Sequence, residues 1–363
     1  MKQHWQRKPL LVRAAVPGLA PLISRAALFA LAEREEVESR LIAHTAAGWQ
    51  LRRGPLARRS LPPLARPGWT LLVQGVDLHH DGIAGLLQQF CFVPQARLDD
   101  LMISYASDGG GVGPHVDSYD VFLLQAEGQR RWRIGRQKDR RLQEDVPLKI
   151  LANFVSEEEY LLDPGDMLYL PPGWAHDGVA QGACQTYSIG FRAPQRSELV
   201  RELLGRIAED AEELVGDALY QDRGGGATDA PGAIPASLQD FAHEAVREAL
   251  ARGEILDRAL GEMLTEPKPS VWFDTGTPAA TLERGLVLDR RTRMMHDEQH
   301  VFVNGESWRA AGRDAALMRR LADRRSLAPR DMAGASKAAR TLLQSWCEAG
   351  WLHQMEGSHG QLE

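Results

Sequence analysis

The stretch "GPHVDSYDVFLLQAEGQRRWRIG", residues 113–135, places a histidine and an aspartate two positions apart at the head of a strand-like run. Successive side chains of a strand alternate between its faces, so His115 and Asp117 point the same way and can bind one ion. A third ligand must come from elsewhere. Among the 11 histidines the notable one is His176 in "LPPGWAHDG", delivered after a Pro-Pro-Gly turn on a later strand. Two imidazoles and one carboxylate form the facial triad that leaves adjacent positions open on Fe(II), as an oxygenase needs. Zinc accepts the same ligand types, but hydrolytic zinc sites of that composition usually appear as HExxH on a helix, which this chain lacks. An HxD pair alone is also what an ordinary surface or core pair looks like. Its combination with the later Pro-Gly-x-x-His and the turns between them favours the metal.

Outward from this stretch, short apolar or alternating runs read as strands: "WTLLVQGVD" from Trp69, "LMISYAS", "EEYLLDPGDMLYLPPGWAHDGVA" and "CQTYSIGFRAP". Short strands separated by Pro-Gly turns suggest a sandwich or barrel. Before them, residues 20–46 mix apolar positions at helical spacing with Glu and Arg, which predicts a mostly helical N-terminal region. After Pro194, "SELVRELLGRIAEDAEELVGDAL" repeats apolar residues at helical spacing, with Ser197 a candidate N-cap. A flexible break, "QDRGGGATDAPGAIPA", precedes a second amphipathic stretch over residues 237–264, and two such helices need a partner for their apolar faces. From about Lys268, "HVFVNGESWRA" carries the Asn304-Gly305 hairpin signal and is followed by helical segments, a winged-helix-like pattern.

The chain has 363 residues, 44% hydrophobic and 25% charged, with a formal net charge of -6, which argues against a general nucleic-acid coat. From Ser270 onward Lys and Arg number 13 against 12 Asp and Glu, so direct nucleic-acid binding is not expected of the last segment either. The 3 cysteines are far apart and lack CxxC spacing, indicating neither a disulfide framework nor a zinc knuckle and fitting a reducing cytoplasm. No signal peptide, membrane span or internal repeat is read. The glycine run in "SDGGGVGPH" is no phosphate cradle, since no Lys-Ser/Thr follows; close approach to a peptide substrate, or mobility at the entrance, is the expectation. No Ser-His-Asp triad or paired-carboxylate constellation is seen.

With these motifs in view, the sequence resembles the JmjC-domain Fe(II)/2-oxoglutarate oxygenases. "HWQRKPLLVRAA", "EEVESRLI", "YASDGGGVGPHVDSYDVFLLQAEGQRRWRIG" and "DMLYLPPGWAHDGVA" look like the bacterial ribosomal oxygenases among them. The resemblance is specific over the first 200 residues and looser beyond. It implies an α+β fold: a double-stranded β-helix, the jelly-roll or cupin-like JmjC barrel, with N-terminal helices. The expected domains are catalytic 1–195, helical dimerisation region 196–266 and winged-helix-like 267–363. The implied reaction is hydroxylation of an arginine of large-subunit ribosomal protein number sixteen by a cytoplasmic homodimer, consuming 2-oxoglutarate and O2. Alternatives are a histidine hydroxylase of another ribosomal protein, or a metal-binding cupin without 2-oxoglutarate chemistry.

Carried over, the iron ligands are His115, Asp117 and His176. The far carboxylate of 2-oxoglutarate wants a cation, and arginine offers bidentate charge-assisted hydrogen bonds. Arg130 is the candidate, on a strand expected to return beside the HxD strand, while Arg131 points the opposite way. Ser104 matches the family's hydroxyl donor to that carboxylate. Asp108 matches an aspartate that engages the substrate guanidinium, with Ser197 a possible second contact. Asp108 before glycines equally suits a turn-forming residue. Tyr105, Tyr119, Trp132 and Trp174 could line the pocket, with core packing the default for strand aromatics.

Overall fold

The computed structural model describes residues 1–223, 225–275 and 282–355. Its contacts divide the chain into two compact units, one of residues 1–193 with 269–272, the other of residues 194–268 with the described part of 273–363.

The first unit is built on one 10-stranded antiparallel sheet. In chain order its elements are β1 (Leu10–Val12), α1 (Arg25–Leu31), β2 (Ser39–Thr45), β3 (Gly48–Arg53), β4 (Trp69–Val73), α2 (Asp81–Gln88), β5 (Leu98–Ala106), β6 (His115–Val116), β7 (Val121–Arg136), β8 (Glu158–Leu162), β9 (Met167–Leu170) and β10 (Trp174–Phe191). The long strands β7 and β10 pair with each other along most of their length, and each changes its other neighbour half-way. β10 pairs first with β6 and then with β5; β7 pairs first with β9 and then with β8. The change falls at an irregularity between Gln181 and Gln185. There Gly128 has φ +63°, and a Cβ on it would lie 2.2 Å from the Ala183 carbonyl oxygen, so only glycine fits. The result is two short sheets joined through shared strands, the double-stranded β-helix expected.

Alternation assigns the faces. Leu101, Ile103 and Tyr105 of β5, with Tyr187 and Ile189 of β10, enter a core completed by Leu28 and Phe29 of α1 and Ile83, Leu86 and Leu87 of α2. The intervening residues Met102, Ser104, Thr186 and Ser188 line a cavity on the other face.

The helical reading of residues 20–46 needs correction. Ser24 caps α1 by accepting from Ala27 N, but the helix ends at Leu31, and Ser39–Thr45 and Gly48–Arg53 form a hairpin. β2 also pairs with β4, so both its edges are hydrogen-bonded, and Leu41 and Ile42 are each buried. Tertiary pairing overrides a local pattern that suits either period.

In the second unit α3 (Arg196–Glu209), α4 (Ala211–Val215), α5 (Ala236–Ala251) and α6 (Gly253–Thr265) precede the strands. The single helix expected over 237–264 is interrupted at Arg252, whose backbone is extended (φ -91°, ψ 99°). Gln195 rather than Ser197 is the N-cap of α3, with Glu198 completing a capping box. There follow β11 (Leu286–Leu288), β12 (Met294–His296), β13 (His300–Val303), β14 (Glu306–Arg309), α7 (Gly312–Arg324), β15 (Ser326–Leu327), α8 (Pro329–Met332), α9 (Lys337–Glu348) and β16 (Leu352–Gln354). Asn304 and Gly305 make the β13–β14 turn with φ +50° and +91°, the left-handed pair that two-residue hairpins require. Leu317, Met318 and Leu321 of α7 meet Leu343 and Trp346 of α9 in the core of this unit. No described helix is long and apolar enough to cross a membrane.

Candidate metal and cosubstrate site

His115 on β6 and His176 on β10 are direct register partners, with ring centroids 4.2 Å apart. Asp117 Oδ2 lies 3.9 Å from His115 Nε2 and 3.6 Å from His176 Nε2, and the potential ligand atoms of all three fall within 4.8 Å of one another. Each imidazole is fixed through its other nitrogen: His115 Nδ1 is 2.9 Å from Gly113 O and His176 Nδ1 is 3.2 Å from Trp174 O. A carbonyl can only accept, so Nδ1 carries the proton and Nε2 offers its lone pair. Burial, then the neighbouring His115, lowers the pKa of His176 to about 4, so its ring is neutral at neutral pH, the form that binds a metal.

Arg130 is 3% exposed. Its guanidinium donates to Ser104 Oγ (2.9 Å), Gly178 O (3.2 Å) and Thr186 Oγ1 (3.4 Å), and lies 5.1 Å from the centre of the Trp132 ring. Its Nε has no hydrogen-bond partner, and no carboxylate pairs with it among the described residues. Burial lowers its pKa, as expected for a cation whose charge is not neutralised nearby. Such a group is unfavourable unless an anion joins it. Arg131, by contrast, points to the outside, where it pairs with Glu159 at 2.6 Å.

A cavity of about 630 Å³ contains both groups: its walls include His115, Asp117, His176, Arg130, Ser104 and Thr186. The strand carrying Arg130 does not run beside the HxD strand as expected. β10 lies between them, since His176 pairs with His115 on one side and Ile134 on the other.

Two glycine-loop expectations change. Gly109 N donates to Ala180 O and Ala180 N to Gly110 O, tying the run to β10. A Cβ at Gly110 would sit 2.4 Å from Trp69 O, and one at Gly111 2.7 Å from Gly178 O. The glycines therefore permit close approach to the protein's own strands, not a mobile entrance. Asp108 is not brought to the cavity: its Oδ1 accepts from Gly182 N at 2.8 Å, the turn-forming role. Ser197 stands in the first turn of α3, in the other unit.

Several residues that line the cavity were not singled out from sequence, among them Thr186, Asp99, Asp100 and Ser188. Thr186 is the direct partner of Ser104 on β5, so only the strand register could have revealed it. Tyr119 also lines the cavity.

A double-stranded β-helix with two histidines and a carboxylate beside an unpaired buried arginine defines an oxygenase of the JmjC class. Residues 85–199 match the JmjC domain, and residues 245–353 match the ROXA-like winged helix. The chain is 33% identical over 320 residues to the ribosomal protein uL16 3-hydroxylase of Escherichia coli strain K12, covering 84% of this chain and 83% of that protein. It is 36% identical over 205 residues to a probable ribosomal oxygenase of Haemophilus influenzae, covering 55% and 50% of the two chains. A solved ribosomal oxygenase from Escherichia coli, in complex with cobalt and 2-oxoglutarate, superposes with a TM-score of 0.81 at 29% identity, covering 97% of this chain and 96% of that one. The chain belongs to the JmjC-domain ribosomal oxygenases.

Proposed function

We propose that this protein is an Fe(II)- and 2-oxoglutarate-dependent hydroxylase acting on an arginine side chain of ribosomal protein uL16. The carrying observation is the buried Arg130 without an acidic partner, in the same cavity as the two histidines and Asp117. The donor set fits Fe(II): two imidazole nitrogens and one carboxylate oxygen, with cavity space beside them.

His115, Asp117 and His176 would hold the iron, and Arg130 with Ser104 and Thr186 would receive the far carboxylate of 2-oxoglutarate. When bound, the iron supplies the oxidative chemistry that couples decarboxylation of 2-oxoglutarate to insertion of one oxygen atom into a C–H bond. The chain's own residues bind, orient and exclude water. Besides Asp117 the cavity wall carries the carboxylates of Asp99, which pairs with Arg192 Nε at 3.4 Å, and Asp100, of the charge that receives a guanidinium. Asp100 is itself held by Gln74 Nε2 at 2.7 Å and Gly75 N at 3.1 Å. Asp108 is a weaker choice for this task, since its carboxylate accepts from Gly182 N, while Ser197 stays a candidate second contact.

The same reading takes residues 1–195 as catalytic, 196–266 as the dimer-forming helices and 267–363 as a winged-helix-like domain, in a cytoplasmic homodimer. Exposed Val200, Leu204, Phe241 and Val246 on the helices support the dimer. The test is incubation of the protein with iron(II), 2-oxoglutarate, O2 and uL16, with the peptides then weighed by mass spectrometry. An arginine peptide gaining the mass of one oxygen is expected. Succinate released with no such gain on any residue of uL16 overturns the assignment, and a gain on histidine moves the target.

A further inference from the structure

Two cavities meet at the HxD strand. Beside the larger one lies a second, of about 490 Å³, whose walls include Arg140, Leu142, Leu151 and Pro172. Val116, Asp117 and Lys149 line both, so the metal ligand Asp117 stands between two spaces with Lys149 at their junction. 2-Oxoglutarate and one side chain do not need a second space; a polypeptide continuing on either side of that side chain does.

Lys149 is carried on the connection from β7 to β8, and that connection is pinned. Gln143 N donates to Ile150 O (2.8 Å), Ala152 N to Arg141 O (2.9 Å), and Leu151 N to Pro114 O (2.8 Å), the residue before His115. Arg53 closes β3, the outermost strand of the sheet, and lines the larger cavity with Leu51. β3 and the connection converge at Gly113, where a Cβ would meet Ile150 Cδ1 at 2.9 Å and Trp49 Cζ2 at 3.2 Å. The cations of this region differ in one respect. Arg40 is engaged by Gln74 Oε1 at 3.2 Å and lies 3.9 Å from Glu38. The side chains of Lys149 and Arg53 make no hydrogen bond or ion pair among the described residues, and both are exposed.

We propose that Lys149 and Arg53 form a cationic rim that receives a carboxylate of the substrate polypeptide beside the residue being hydroxylated. The inference rests on the reading above that the substrate is a protein side chain. Recognition then has two parts, the target side chain in the larger cavity and a neighbouring acidic side chain toward the rim. Protein is favoured over RNA because the wall carrying Lys149, Arg53 and its cross-strand partner Arg40 also carries the apolar Leu51, Pro147 and Leu148, which suit a polypeptide more than a phosphate backbone.

The test uses the full chain and two fluorescent peptides, each with one arginine flanked by glutamates or by glutamines, with binding read by anisotropy at several salt concentrations. The glutamate peptide is expected to bind about five- to tenfold more tightly at low salt, an advantage that falls as salt rises. Lys149→Glu and Arg53→Glu should each abolish that preference, and Lys149→Gln should weaken it. Arg52→Glu, whose parent side chain turns away to Ser60 O at 2.9 Å, should keep it. With uL16 the rim variants should raise KM about tenfold, with the loss in KM rather than kcat. Equal binding of the two peptides by the wild-type protein overturns the proposal. So does binding of a polyuridine RNA that is lost in the rim variants while peptide discrimination is absent. Peptide discrimination without any oxygen gained by uL16 would instead overturn the assignment of function and leave the rim standing.

Discussion

His115 and His176 face each other across the β6–β10 ladder, each held by a backbone carbonyl within two residues of itself in sequence. Those carbonyls hold both Nε2 atoms toward Asp117, so in the proposed site each ring supplies one of the three donors. His115→Ala or His176→Ala should weaken cobalt(II) binding by about a hundredfold or more, given that losing mere outer-shell partners of such ligands costs about 10- to 100-fold. Titration followed by visible absorption measures this; unaltered cobalt affinity in either variant would refute the ligand assignment.

Arg130 and Arg131 are neighbours with opposite fates. Arg130→Ala removes the buried guanidinium and leaves Ser104, Thr186 and Gly178 without their shared donor. The apparent KM for 2-oxoglutarate should rise by about a hundredfold, equivalent to about 2.7 kcal/mol, in the range for losing hydrogen bonds to a charged group. Arg131→Ala removes one exposed ion pair with Glu159 and should change KM less than about twofold. Succinate release against 2-oxoglutarate concentration compares the two, and an equal effect would refute the division.

Much of this site was legible in the chain because its chemistry demands scarce residue types at fixed spacing. The HxD pair and the residue parity of Arg130 and Arg131 follow from strand alternation alone. What stayed hidden depends on long-range register. Thr186 joins the site because β10 pairs with β5 opposite Ser104, and Asp108 leaves it because the glycine run lies back on β10. The N-terminal hairpin was masked in the same way, since the apolar residues of "SRLIAHT" suit either period until β3 and β4 pair with them.

Gly178 connects Arg130 with the His176 side of the cavity. Its carbonyl accepts from Arg130, and a Cβ on it would come within 2.6 Å of Trp132 Cζ3, a ring that also lies 5.8 Å from the His176 ring. Gly178→Ala must displace a buried indole against both functional groups. A loss of about 1–3 kcal/mol is expected, the usual range for overpacking. Thermal denaturation reads that loss, and a weaker 2-oxoglutarate affinity should accompany it. A variant with wild-type stability would show that Trp132 moves without resistance.

Asp289 ties together the winged-helix-like unit. Burial pushes its pKa up, but hydrogen bonds from Arg291 and His353 outweigh that and leave it at about 2. A carboxylate with a folded pKa below its unfolded value of 3.8 contributes stability that is complete above the unfolded value. That contribution should shrink as the pH falls from about 4 to about 2, because the unfolded chain binds the proton first. Asp289→Asn should flatten the acid limb of the stability curve over that interval, as followed by urea unfolding; an unchanged limb would refute the linkage.

The apolar residues left outside on the helices make the last prediction. Val200 and Leu204 of α3 are 57% and 46% exposed, and Val246 of α5 is 60% exposed, while Ile207, Leu214 and Ile255 close a small core on the inner side. A helix face of that kind, apolar on both sides, is stable in water when a second copy covers it. Light scattering at micromolar concentration should therefore report twice the chain mass. Val200→Asp combined with Leu204→Asp places two charges on one turn of α3 without touching the inner core. The double variant should sediment as a monomer with its inner core intact by circular dichroism. A wild-type protein that is already monomeric at micromolar concentration, or a double variant that remains dimeric, would show that α3 is not the contact.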